Sequence, residues 1–429
     1  MTRRGMVSRS LIVAVAAVAA ACSSDDVSDD AGSTAPPAVE STPDTAPPTT
    51  AAPATDPNDD AAGFDAASFT AVLAADELDG RDNLTPESAA AQELIVAELG
   101  RFAEPFDPGE VGVAAWSQPF PEGVNLVGVQ PGIGALADEY VIVGAHYDHL
   151  GAGQCDPRDD ATDVICNGAA DNAAGVAAAI AVADRVGRDD DTDRRTLVVA
   201  LWDAEEDGLL GAAHYAMNPL FPLAQTVAYV NFDIQGANLL PSLANTSIVI
   251  GAETGGPALV DAVGAAVDAA SIDYVNFSLL FGQGRSDHAP FAAVGVPVVF
   301  FTDANNGCYH TAKDDIDHVD LGKLDNQIEP PTALVEELLT TPTPPSFDPD
   351  TPLTTFSDAE QLLDLVRRAE PDFDLLDPEV RQRTEAYLVE LEAIVGAGPD
   401  AFTNDQAGLV LGGAAALVGD LAATECGLS

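Results

Sequence analysis

Apolar positions along this chain follow two rhythms. Short runs, rich in β-branched residues and almost wholly apolar, occur at Asn125–Val129, Tyr140–Ala145, Thr196–Trp202, Val227–Phe232, Ser247–Ile250 and Pro297–Phe301. Between them lie longer stretches of helical character, including Ala173–Val186, Pro257–Ala270 and Lys323–Leu339. A strand that is apolar on both faces must be covered on both faces. Strands of this kind separated by helices predict an α/β fold, a three-layer α/β/α sandwich around a mostly parallel mixed sheet. Two helices should precede it, over Ala66–Leu78 and Thr85–Phe102. The second opens on an N-cap threonine with proline at the first helical position. No internal repeat interrupts the pattern.

Toward both ends the rhythm changes. Residues 23–63 are Ala, Pro, Thr, Ser and Asp with almost no large apolar side chain. Such a segment cannot bury enough surface to order itself, which predicts a disordered acidic tether ahead of a domain over 64–340. The run Thr341-Pro342-Thr343-Pro344-Pro345 reads as a linker. Beyond it, 346–429 carries helical patterns at Asp358–Ala369 and Glu379–Val395 and an apolar stretch from Gly408 to Leu421, which predicts a small helical appendage without an evident role. At the start, Arg3, Arg4 and Arg9 precede an apolar run from Leu11 to Ala21 that is too short for a permanent membrane span. Small residues, Cys22 and an abrupt polar stretch follow. That order resembles a bacterial lipoprotein signal over 1–22, with Cys22 lipidated as a membrane anchor. A cleaved secretory signal is the alternative, and both export the protein.

Composition narrows the field further. Seventeen basic residues against seventy acidic ones give a formal charge of −53, and Lys313 and Lys323 are the only lysines. A surface of that sign repels phosphate backbones, so nucleic acid is excluded as a partner. The same charge keeps the protein hydrated and would draw cationic amines toward it. Export permits disulfides. Setting Cys22 aside leaves Cys155, Cys166, Cys308 and Cys426, which allow three pairings. Cys155 with Cys166 is favoured because both lie in one Asp-rich insert, and Cys308 with Cys426 would then tie the C-terminus back.

The chemically capable side chains gather just past the predicted strands. His146 and Asp148 follow the Tyr140 strand, Glu205 and Glu206 the Thr196 strand, Asp233 the Val227 strand, and Tyr309 and His310 the Pro297 strand. Asp171 opens a helix. Ligands of open α/β sheets bind beyond the carboxyl ends of the strands, so these groups should converge on one rim. Two imidazoles with several carboxylates suit zinc, and carboxylates packed this densely need cations to offset their repulsion. Of the other candidates, His149, His214, His288 and His318 read as structural or exposed, and Trp202 and Phe232 as core.

These residues resemble the co-catalytic zinc aminopeptidase family (metallopeptidase family twenty-eight, clan MH), whose members also include glutamate carboxypeptidases and glutaminyl cyclases. The resemblance runs from about Leu73 to Leu339 and takes in Asp76-Glu77-Leu78-Asp79-Gly80-Arg81. It implies two Zn2+ per chain, one held by His146, Asp171 and Asp233 and the other by Asp171, Glu206 and His310, with Asp171 bridging. Glu205 would be the general base and Tyr309 an oxyanion donor. Asp148 would orient the His146 imidazole from behind. Gly284-Arg285-Ser286-Asp287-His288 resembles a loop beside the site, where Arg285 would touch the substrate or simply pair with Asp287.

The implied reaction is hydrolysis of an N-terminal residue from a peptide with a free amino terminus. Glu205 and Asp233 are candidates to anchor the ammonium. Glutaminyl cyclase, a carboxypeptidase and an inactive surface-binding lipoprotein are the rival readings. A filled set of five ligand positions and an intact Glu205 weigh against the first and last, and scarce basic residues weigh against the second. The lid-like insertion of larger relatives is absent before Asn125. An acidic insert at Gly151–Asn167 instead stands between the first two ligand positions.

Overall fold

The computed structural model describes residues 63–157, 162–187, 192–352 and 354–427. The leader, Cys22 and nearly all of the tether lie outside them. The helices are α1 (Ala66–Leu73), α2 (Pro86–Leu99), α3 (Ala174–Arg185), α4 (Leu210–Met217), α5 (Gly256–Asp268), α6 (His288–Ala293), α7 (Leu321–Thr340), α8 (Phe356–Ala369), α9 (Pro378–Ala397) and α10 (Asn404–Ala422). The strands are β1 (Glu104–Pro105), β2 (Ser117–Phe120), β3 (Gly123–Gln130), β4 (Tyr140–His146), β5 (Thr196–Trp202), β6 (Thr226–Phe232), β7 (Thr246–Ile250), β8 (Asp273–Phe277) and β9 (Val298–Thr302).

They form one nine-stranded sheet in the order β1-β3-β5-β4-β6-β9-β7-β8, with β2 pairing β3 at its edge. The central run β5-β4-β6-β9 and the pair β7-β8 are parallel. β3 against β5 and β7 against β9 are antiparallel. Why the central strands read as unbroken apolar runs is visible in their alternation. Leu197, Val199 and Leu201 of β5 join one core with α1, α3 and α7, while Val198, Ala200 and Trp202 join a second with α4 and α6. Both faces are dry, as a parallel sheet requires.

The first predicted helix breaks early. It ends at Leu73, and Asp76–Arg81 forms a separate 3-10 turn with Asp79, Gly80 and Arg81 at positive φ. Strands β1, β2 and β8 were not legible, being very short or half exposed. The second helix starts as expected, with the Thr85 side chain accepting from Ser88 N at 3.0 Å.

The C-terminal region is helical, as expected, and it packs on the sheet. Leu362, Val366, Leu388 and Val410 share a third apolar core with Ile248, Ile250, Val275, Phe277 and Phe300 of the sheet. On β9, Val298 packs under α6 while Phe300, two residues on and therefore on the same face, packs under the C-terminal helices. These helices thus complete the second layer where α6 stops. Phe64–Ser429 is one unit and Met1–Gly63 another. Both cysteine pairs are joined as the sequence favoured, Cys155–Cys166 and Cys308–Cys426. No helix among the described residues is long and apolar enough to cross a membrane.

Candidate metal centre and active site

Register assembles the site. His146 closes β4 opposite Trp202, the last residue of β5, so His146 and the Asp203–Glu206 turn emerge side by side. Asp233 follows β6, the other neighbour of β4. Asp171 lies just before α3, and Tyr309 and His310 in the loop after β9. Ala204, Ile234 and His310 are non-glycine residues at positive φ, each at or beside a site residue. A left-handed β-branched isoleucine is held only by its surroundings, and such strain gathers at functional sites.

The structure brings the five expected ligand positions together. His146 Nε2 stands 3.2 Å from Asp171 Oδ1 and 3.4 Å from Asp233 Oδ1. His310 Nε2 stands 3.4 Å from Asp171 Oδ2 and 3.1 Å from Glu206 Oε2. The two oxygens of Asp171 therefore face two separate donor groups. Bonds of about 2.0–2.1 Å to a tetrahedral zinc put neighbouring ligand atoms about 3.3 Å apart, whereas a charge-assisted hydrogen bond closes to about 2.8 Å. The spacings around Asp171 match the first figure, and the donor set fits zinc.

Of the two readings the sequence allowed for His149, structural or exposed, the structure shows the first. It is buried with Nδ1 2.7 Å from Glu206 Oε1, and its donor atom falls within 4.8 Å of those of Asp171 and Glu206. That contact sets the His149 imidazole against the other Glu206 oxygen. Its place three residues after His146, in the same turn, was the available signal. A similar cluster of His146, Glu205 and Asp233 sets Glu205 at the rim of the first donor group. Cys308, His318 and Cys426 also lie close together, but the disulfide consumes both thiols.

Asp148 acts differently from expectation. Its carboxylate is 3.7 Å from His146 Nδ1, beyond hydrogen-bond reach, and the Asp148 backbone carbonyl faces that nitrogen at 3.1 Å. The carboxylate instead accepts from Glu205 N at 3.0 Å and Glu206 N at 3.2 Å, fixing the turn that presents both glutamates. Asp314 plays the same part for Asp171, accepting from Ala170 N at 2.8 Å and Asp171 N at 3.0 Å. Arg81 is fully buried, and its guanidinium donates to the carbonyls of Leu73, Tyr147, Asn167 and Gly168. It clamps the turn after His146 to the segment before Asp171. Asp314 was missed, and Arg81 was seen only as part of a resembling stretch.

Arg285 is exposed and its Nη2 lies 3.5 Å from the Tyr309 hydroxyl. The pairing with Asp287 is not formed: Asp287 is wholly buried, with neither carboxylate oxygen hydrogen-bonded. His288 stacks on Phe300 and His214 on Phe120, while His318 is exposed. Trp202 and Phe232 are core.

Burial dominates the electrostatics. It pushes Glu205 well above the ordinary carboxylate range, helped by Glu206, Asp233 and Asp287 and opposed by His146. Burial also works against Glu206, as does Asp171, yet the His149 and His310 contacts hold it down to about 2. Glu205 thus retains a proton more readily than its neighbour.

Residues 125–329 match the sequence model of peptidase family M28. Leupeptin-inactivating enzyme 1 of Streptomyces exfoliatus is 28% identical over 185 residues, covering 41% of this chain and 35% of that protein. A Leptosphaeria maculans protein named "Probable zinc metalloprotease" is 27% identical over 261 residues, covering 52% and 58%. The chain therefore spans under two thirds of either relative. The structure of Legionella pneumophila LapA aminopeptidase aligns at 18% identity over 64% of this chain and 72% of that one, with a TM-score of 0.48.

Proposed function

Over residues 125–329 the chain belongs to peptidase family M28, and from that premise we propose that it is an exported aminopeptidase working with two zinc ions. The observation that carries the reading is Asp171, one carboxylate whose two oxygens each face a separate histidine at ligand spacing. His146, Asp171 and Asp233 would hold one ion, and Asp171, Glu206 and His310 the other. When bound, the pair supplies an acidified water and Lewis-acid polarisation of the peptide carbonyl.

The chain's own groups do the rest. Glu205, as the carboxylate, takes the proton of the attacking water and returns it to the leaving amine. The Tyr309 hydroxyl, with the Arg285 guanidinium beside it, donates to the oxygen that becomes negative. Asp148 and His149 fix the two glutamates, so little reorganisation is left for the reaction itself. Asp233 and Glu205 attract the substrate ammonium, which makes a free amino terminus a requirement. The disulfides suit an oxidising compartment, consistent with export through the leader and, on the lipoprotein reading, anchoring through Cys22.

The test compares aminoacyl-anilides with their N-acetylated forms, using protein purified without its leader. Chelator-sensitive, zinc-restored cleavage of the free amines alone supports the proposal. Equal cleavage of both forms, or release from the C-terminal end, would refute it.

A further inference from the structure

Residues 346–429 lie outside the family match and supply none of the proposed metal ligands or catalytic groups, yet they wall a cavity that opens onto the site. That cavity takes in about 1340 Å3 including its open mouth. Asp171, Glu205, Asp233 and Tyr309 line one end, and Leu362, Val366, Leu417, Val418 and Leu421 line the other. From the sheet side, Ile248, Ile250, Phe277 and Phe300 complete a surface that is almost entirely aliphatic and aromatic. Asp420, a charged group on the helical wall, is engaged by Arg383 at 2.6 Å.

We propose that helices α8 and α10 are the selectivity wall of the substrate pocket, and that the occupant is a large apolar side chain of leucine or phenylalanine size at the substrate's amino terminus. This rests on the aminopeptidase reading. The charged end of the cavity attracts the ammonium, and the apolar end can accept only what water releases readily.

The wall is fixed in place rather than loosely appended. Cys426, four residues past α10, is bonded to Cys308, which immediately precedes Tyr309. Next to it the backbones come so close that a Cβ on Gly307 would lie 2.6 Å from the Glu425 carbonyl oxygen, so only glycine fits there. At the other helix, the Asp358 carboxylate at the start of α8 accepts from Ser278 N and Ser278 Oγ, both at 2.7 Å. Wall and site are therefore tied together by a disulfide and by hydrogen bonds.

The experiment measures kcat/KM of the zinc-loaded protein on alanyl-, leucyl-, phenylalanyl- and tryptophanyl-anilides. Since each methylene in an apolar pocket is worth roughly tenfold or more, leucine and phenylalanine should exceed alanine by about 100-fold. Val418→Trp, which fills the cavity from α10, should cut the phenylalanine-to-alanine ratio at least about tenfold. Leu417→Ala, which enlarges it, should raise tryptophan relative to leucine. Val389→Trp, on the exposed side of α9, should leave the ratios alone. Circular dichroism checks each fold, and Leu417→Ala decides if Val418→Trp does not fold.

A wild-type ratio near unity, or ratios indifferent to both pocket variants, would overturn the proposal. If no aminoacyl substrate turns over, calorimetric titration with L-phenylalanine and with glycine still reads the pocket. Phenylalanine binding tighter by about tenfold, with the preference lost in Val418→Trp, would keep the wall and discard the reaction. Equal binding would discard the wall.

Discussion

Arg81 offers a prediction that can be worked through from the structure. Its guanidinium lies 2.6 Å from Leu73 O, 2.7 Å from Asn167 O, 2.9 Å from Tyr147 O and 3.1 Å from Gly168 O, in a site without solvent exposure. Desolvation lowers its pKa only to about 10, against the attraction of Asp148, Asp314 and Asp171, so it stays charged. Hydrogen bonds from a charged donor are each worth about 1.5–3 kcal/mol, nominally about 6–12 for the four. The cost of burying the cation and partial rehydration of the carbonyls reduce that sum. Removal of one buried charged partner typically costs about 3–5 kcal/mol, and we take about 4 for Arg81→Met. Lysine keeps the charge but not the planar fork, so Arg81→Lys should cost about half as much. Both are read as the shift in urea unfolding of the metal-free protein. Because the clamp sets the spacing between His146 and Asp171, zinc affinity should also fall about 10–100-fold. A loss below about 1 kcal/mol with unchanged zinc affinity would refute the clamp argument.

Other consequences follow from the same geometry. On the proposed role, in which Glu205 moves protons and holds no metal, Glu205→Gln should lower kcat by about 10²–10⁴-fold while the zinc content per chain stays at the wild-type value. Replacing both Cys308 and Cys426 with serine opens a link between residues 118 apart and should cost up to about 5 kcal/mol, visible as a lower unfolding temperature. Burial raises Glu253 from 4.5 to about 7, against the hydrogen bond it accepts from Leu279 N. The folded state therefore binds the extra proton between those values, and stability falls as pH rises from about 4.5 to 7, by about 3 kcal/mol. Glu253→Gln should flatten that slope and stabilise the protein at pH values above 7. An unchanged slope would place the titration elsewhere.

The legible parts of this chain are those where one physical rule acts locally. Doubly covered strands had to be continuously apolar, so β4, β5, β6 and β9 showed themselves directly. The convergence of the proposed ligand positions was legible because a parallel sheet delivers its chemistry at strand ends, beyond Ala145, Trp202 and Phe232. What stayed hidden depends on contacts distant in sequence. Asp314 reaches Asp171 across 143 residues, and Arg81 reaches Gly168 across 87. Nothing in the spacing around either residue announces its partner. Asp148 was assigned to the nearest imidazole, since sequence cannot show that the next strand brings two unpaired backbone N–H groups closer. The C-terminal helices read as an appendage because their helical pattern is self-contained. Only the sheet face left bare beyond α6 shows what they cover.

The central claim is a two-metal centre bridged by Asp171, and metal content tests it most directly. Protein stripped of metal, titrated with zinc and then freed of excess, should retain two tightly held equivalents per chain by mass spectrometry. Asp171→Asn, which removes the shared charge, should retain at most one at the same free zinc. A single equivalent in the unaltered protein, or two in Asp171→Asn with undiminished affinity, would contradict the account.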